Sequence, residues 1–289
     1  MAFVDVTNDV AFRKIFGNEQ KTVILISFLN AVLGLEGPDR IAEVTLLNPY
    51  QLPRIIGEKA SIIDVKAKDE KGETFIIEMQ IADPNGFEKR VLYYTCKDYA
   101  GQIIIGEDYP ELRPVYFIGV LGFNFFEGEN YLSTHIIQDR DTGECKFSDL
   151  QFRFIELPKF NKKAEELVSV IDKWAYFLKN AKTLEMIPTE VDDEGLKEAY
   201  TEAARHNWTK EEYDAYIYQG MREQDARGIV TKAVEKAVKI AVKEAVETAV
   251  DEVTCKYISS MHQNGIPTAT IATVVNLSEE EVAKVIAAS

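Results

Sequence analysis

The chain has 289 residues, 46% of them hydrophobic, which is enough to bury a sizeable core in one large domain with a smaller appendage. Its 48 Asp and Glu against 33 Lys and Arg give a formal charge of −15, which excludes broad, sequence-independent attraction to phosphate backbones. A nucleic-acid role must therefore rest on a local basic patch or a bound cation. No stretch approaches the roughly 18 uncharged apolar residues that cross a bilayer, and charge enters the N-terminus at Asp5, so no membrane association and a cytoplasmic location are expected.

In chain order, Asn8 or Asp9 can cap a helix over Val10–Phe16, and Lys21–Leu33 reads as a second helix stopped by Gly34. Strand-like runs follow at Val44–Leu47, Ala60–Lys68 and Glu73–Ile81. A helix from about Phe87 to Ile105 carries Tyr93, Tyr94 and Tyr99, and the apolar run Val115–Leu121 after Pro114 predicts a fully buried strand. His135–Gln138 and Leu150–Leu157 are the last strand candidates. This order predicts an α/β core with a mixed sheet.

Beyond Pro158 the pattern turns helical. An amphipathic helix is expected over Lys163–Leu184, with shorter ones over Glu194–Arg205 and Lys210–Gln219. Ala-Val pairs then recur every four residues from Ala233-Val234 to Ala249-Val250. A period of four drifts about 40° per step around a 3.6-residue helix, so this stripe winds instead of forming a heptad seam. The last segment has a turn at Gly265-Ile266-Pro267, a helix from Thr268, a break near Asn276 and a Ser278/Glu281 capping box. Its spacing suits a helix-turn-helix, but Glu279-Glu280-Glu281 would repel phosphate, which favours a packing or oligomerisation element. The organisation expected is 1–160 for the α/β domain, 161–228 for a helical region, 229–263 for the long Ala/Val-rich helix and 264–289 for the small helix-turn-helix-like element.

Cys96, Cys145 and Cys255 form no CxxC pair, so a reducing compartment and burial as small hydrophobes are expected. His135, His206 and His262 are isolated, which leaves a His-rich metal site or a Ser-His-Asp triad without support.

The most informative stretch runs from Ser61 to Gln80. It reads as two strands joined by the three-residue loop Glu70-Lys71-Gly72, with Gly72 suited to a left-handed position. If Asp69 faces Glu73, counting back sets Asp64 opposite Glu78. Alternation places Ile63, Val65 and Ala67 on one face with Ile77, Met79 and Ile81, and Asp64 and Lys66 on the other with Glu78 and Gln80. Two carboxylates facing each other across a ladder repel unless something compensates, and a divalent cation does so best. Hard oxygen donors from Asp64 and Glu78 suit Mg2+ or Mn2+. Such a cation can polarise a phosphate and lower the pKa of an attacking water, and Gln80 could orient that water or touch a phosphate oxygen. The competing reading is an ordinary amphipathic hairpin with solvent-facing polar residues, partly neutralised by Lys66.

Asp64 followed by Glu78-Met79-Gln80 on the next strand resembles the PD-(D/E)xK nuclease signature, with Gln in place of the usual Lys. More narrowly, the chain resembles the Rpn family of recombination-promoting nucleases, also labelled transposases. The resemblance rests on Asn8-Asp9-Val10-Ala11-Phe12-Arg13-Lys14-Ile15-Phe16-Gly17, the Asp64 strand, Glu78-Met79-Gln80, Arg90 through Tyr94, Gly106-Glu107-Asp108-Tyr109 and Phe154-Ile155-Glu156-Leu157-Pro158-Lys159-Phe160. It spans nearly all of residues 1–160. It implies a restriction-endonuclease-like mixed β-sheet core flanked by helices, followed by an all-α C-terminal region. It further implies a Mg2+-dependent DNA endonuclease with catalytic roles for Asp64, Glu78 and Gln80. Asp9 is implied as an auxiliary acid, alongside its simpler role as a helix cap. Lys89 and Arg90 would contact the DNA backbone or, alternatively, form surface salt bridges. Two departures stand out: Ile63 replaces the proline that often precedes the first acid, and Gln80 can act neither as a cation nor as a general base. The alternative function is therefore a catalytically retired nuclease scaffold that binds or assembles. The Ala/Val helix points in either case to a homo-oligomer formed through the C-terminal helices.

Overall fold

The computed structural model describes residues 2–51, 61–104, 106 and 108–288; Ala60, Ile105 and Glu107, on which expectations above fell, lie outside them. The chain divides into two compact units, Met1–Gly220 and Met221–Ser289. The cut expected near Pro158 falls inside the first.

In that unit α1 (Asp9–Phe16) is capped by Asn8, whose Oδ1 accepts from the N–H groups of Val10 and Ala11 at 3.0 and 3.4 Å. Helix α2 (Thr22–Leu33) ends at Gly34 as expected. The strands are β1 (Val44–Leu46), β2 (Tyr50–Gln51), β3 (Ser61–Ile62), β4 (Val65–Asp69) and β5 (Thr74–Gln80); α3 (Phe87–Ala100) follows, then β6 (Val115–Leu121), β7 (Leu132–His135) and β8 (Leu150–Glu156). Six strands form one sheet in the order β1-β4-β5-β6-β8-β7, and β2 pairs with β3 separately. β4–β5 is an antiparallel hairpin, whereas β5, β6 and β8 run parallel: α3 carries the chain back across one face between β5 and β6, and the antiparallel β7 does so between β6 and β8.

Each face of the sheet has its own core. Val65, Ala67, Phe75, Ile77 and Met79 pack with α1, α2, α4 (Val170–Asn180) and α5 (Glu194–Ala203), around Phe16, Phe28, Trp174, Phe177 and Tyr200. Truncating one of these fully buried aromatics to Ala would cost about 3–5 kcal/mol. Hence the helices beyond Phe160 share one core with the sheet. The opposite face buries Ile63, Ile76, Val115 and Phe117 under Phe87 and Val91 of α3.

Several expected elements shift. The strand foreseen over Ala60–Lys68 is interrupted at Ile63-Asp64, and Ile63 turns to the core under α3 instead of joining Val65. α3 ends at Ala100. The strand expected at His135–Gln138 is β7, displaced because pairing of Leu132 with Ile155 and His135 with Phe152 sets its register. The helix expected from Lys163 starts at Val170, where the Ser169 and Asp172 side chains cap each other's backbone N–H, both at 3.2 Å. All three cysteines are exposed, not buried: Cys96 lies beyond the buried Thr95 on α3, and Cys145 and Cys255 on a loop and a helix surface.

The helix expected at Lys210–Gln219 and the Ala/Val helix are one continuous helix, α6 (Lys210–Gln263), because Gly220 and Gly228 are tolerated within it. In the second unit Val234, Val238, Val242, Val246 and Val250 of α6 are exposed. The same unit has a small core of Ile258, Ile271, Ala272 and Val282 formed with α7 (Thr268–Val275) and α8 (Glu279–Ala288). Asn276 sits at φ 56° between these helices, and Ser278 with Glu281 forms the capping box foreseen above. Among the described residues, no helix is long and apolar enough to cross a membrane.

Candidate active site

The hairpin keeps the register expected from its loop. Asp69 N–H donates to the Glu73 carbonyl at 3.1 Å, Gly72 adopts φ +84°, and Val65 pairs with Ile77, so Asp64 and Glu78 are the next residues along the ladder. The ladder stops at Asp64, and its polar groups turn to side chains. Asp64 N–H donates to Glu78 Oε1 at 3.3 Å, and Met79 N–H donates to Asp64 Oδ2 at 2.9 Å. Each acid thus clasps the other's strand.

Glu78 is only 7% exposed. Burial, reinforced by the charge of Asp64, pushes its carboxyl up to about 8 against the pull of Arg90, the Asp64 N–H and Arg13. These are not solvent-facing residues on an open hairpin. Nor does Lys66 neutralise them: its ammonium pairs with Asp98 of α3 at 2.5 Å.

Two guanidinium groups do that work. Arg13 reaches from α1 and places Nε and Nη2 on Asp64 Oδ1 at 3.0 and 2.6 Å. Burial opposes its charge, but the hydrogen bonds and charge of Asp64, with the charges of Asp9 and Glu78, hold it above its ordinary value. Arg90, on the first turns of α3, donates to the side-chain oxygen of Gln80, whose amide nitrogen donates to the Ala82 carbonyl at 3.0 Å. The Arg90 guanidinium also lies 5.3 Å from the centre of the Phe87 ring.

Of the residues singled out from sequence, Asp64, Glu78, Gln80 and Arg90 therefore come together. Asp9 opens α1 one turn before Arg13, adds negative charge there, and accepts from Gln219 at 3.4 Å. Asn8 takes the capping role that was open to either residue. Lys89 lines, with Arg90, Gly86, Tyr93 and Tyr94, a cleft of about 580 Å³. Arg13 was not foreseen. Its signal was a cation one turn after Asp9, beside Lys14 and off the apolar face of α1, and no local rule says that this side of the helix meets the hairpin.

Among the described residues no cluster of three or more His, Cys, Asp or Glu stands ready to enclose a metal. The donors present are the hard oxygens of two carboxyl groups, both largely desolvated. That chemistry fits a hard divalent cation completed by water and phosphate oxygens, and not zinc in a closed protein cage.

A mixed six-stranded sheet with an acid-bearing hairpin on its interior strands, helices on both faces and a crossover helix beside the acids defines the restriction-endonuclease-like α/β class. The profile of the PD-(D/E)XK nuclease family transposases matches residues 6–233, and the chain belongs to that family. No curated protein and no solved structure gives a significant match. The matched span runs past Phe160 through α4 and α5 into α6, in keeping with the single core these helices share with the sheet.

Proposed function

We propose that the chain is a metal-dependent DNA endonuclease that hydrolyses phosphodiester bonds and serves recombination, mobile elements or defence. The observation that carries this reading is the mutual clasp of Asp64 and Glu78 beside Gln80, in a chain of this nuclease family. Asp64 and Glu78 would hold Mg2+, with Mn2+ as substitute; when bound, the cation polarises the scissile phosphate and acidifies an attacking water. The chain's own groups do the rest. Arg90 and Ala82 fix the amide of Gln80, which orients the water or a phosphate oxygen. Arg90 and Lys89 bring local positive charge to an acidic protein, where it can meet the DNA backbone. Asp9 serves as an auxiliary acid through its charge on Arg13.

We assign this chemistry to residues 1–160 of a cytoplasmic protein, with 161–228 supporting the core, and 229–263 and 264–289 serving assembly. The exposed valines of α6 favour a homo-oligomer through the C-terminal helices. The decisive experiment is nicking of supercoiled plasmid by wild type and Asp64→Ala, with Mg2+, Mn2+ and EDTA compared. Metal-dependent nicking lost in the variant is the expected result. No cutting with any metal would favour a retired scaffold that binds or assembles, a reading supported by a Gln80 that supplies neither charge nor base.

A further inference from the structure

Both oxygens of Asp64 are engaged. Oδ2 is held in the hairpin by Met79 N–H at 2.9 Å, and Oδ1 takes two donors from Arg13 at 3.0 and 2.6 Å. The Asp64 side chain is 8% exposed and that of Arg13 49%, so the guanidinium stands between the acid and solvent. A carboxylate this desolvated needs a cation close by, and here Arg13 provides it.

The backbone beneath Arg13 is fixed. Phe12, Ile15 and Phe16 anchor α1 in the core, and Lys14 pairs with Glu212 at 2.6 Å while lying over the Trp208 ring at 5.3 Å. The freedom left lies in the half-exposed side chain of Arg13 itself. We propose that Arg13 is a displaceable stand-in for the metal: it holds Asp64 in place until a divalent cation takes Oδ1, and it is then released toward solvent. The released fork suits the paired oxygens of a phosphate, so one exchange would couple filling of the site to readiness for an anionic substrate. This inference rests on the metal-dependent reading above.

Calorimetric titration of the full chain with MnCl2 tests it, using wild type, Arg13→Gln and Asp64→Asn. Removing a competitor tightens binding, so Arg13→Gln is expected to bind Mn2+ about tenfold more tightly, the equivalent of one charged hydrogen bond. A merely structural bridge would act in the opposite sense, because loosening the acid pair weakens metal binding. Asp64→Asn is expected to abolish the titration. Should Arg13→Gln fail to fold, the Nε–H resonance of Arg13 in the wild type, followed during addition of Mg2+, reads the same exchange; it is expected to shift or broaden, and an unchanged resonance at saturation overturns the proposal. Equal or weaker Mn2+ binding by a folded Arg13→Gln overturns it too, while Asp64-dependent binding in the wild type would leave the metal reading standing. Absence of Asp64-dependent binding in every form overturns both.

Discussion

Gln80 links two elements: its side-chain oxygen accepts from Arg90 of α3 while its nitrogen donates to the Ala82 carbonyl just past the end of β5. The amide at the third motif position thereby carries no charge of its own but fixes a charged neighbour. If the two act as a unit, Gln80→Ala and Arg90→Ala each lower plasmid nicking by about tenfold or more, and the double variant is little worse than either single one. Fully additive losses in that double-mutant cycle would show two independent roles.

Stability in EDTA should report Glu78. Its carboxyl is raised from 4.5 to about 8 in the folded chain, chiefly by burial and then by Asp64. Between those values the folded state keeps a proton that the unfolded state has released, so stability falls as pH rises through this window. Thermal melts at pH 5 and pH 8.5 are expected to show the loss in wild type and a flatter profile in Glu78→Gln. Identical pH profiles for the two proteins would refute the assignment.

Gly195 lies in α5, where Ala would normally gain about 1 kcal/mol in helix propensity. A Cβ there would lie 2.4 Å from the Val23 carbonyl oxygen and 2.5 Å from Ser27 Cβ of α2. Gly195→Ala is therefore expected to destabilise the first unit by about 2 kcal/mol. A denaturant midpoint equal to or above that of wild type would contradict this packing.

Glu156 tests whether a family motif is structural. Its carboxylate is 1% exposed, accepts from the N–H groups of Phe125 and Phe126 at 2.6 and 3.1 Å, and pairs with Lys159 at 2.7 Å. Glu156→Gln leaves Lys159 with the Phe126 carbonyl at 2.7 Å but without its buried counter-charge, and should cost about 3 kcal/mol. Nicking per folded molecule is expected to stay unchanged, whereas a selective loss of activity would draw Glu156 into the chemistry.

How much of this could be read from sequence depended on the range of the interaction. The hairpin register was legible because its three-residue loop and period-two alternation are local, and counting from Asp69 and Glu73 led to the facing acids. A cap at Asn8 or Asp9 and the Ser278 capping box were legible for the same reason, and the structure gives the first to Asn8. The break at Ile63-Asp64 was not, because it reflects burial of Ile63 beneath α3, a contact made only in the folded chain. The start of α4 differs from the expectation because the Ser169 and Asp172 side chains close a cap inside the long amphipathic pattern. The cysteines show that a composition tendency does not decide a position, since all three are exposed. Arg13 and Lys66 mark the practical limit: Lys66 is two residues from Asp64 yet pairs with Asp98, and Arg13 pairs with Asp64 from 51 residues away, because which helix covers which face decides both.

The position of β5 has a kinetic consequence. It is an interior strand, paired on both sides, and every residue from Thr74 to Met79 is buried. Its amides should exchange with deuterium only when the whole unit opens, which makes Glu78 part of the slowest-exchanging layer. Accommodation of substrate is then left to what surrounds this frame, above all the two arginine side chains carried on separate helices.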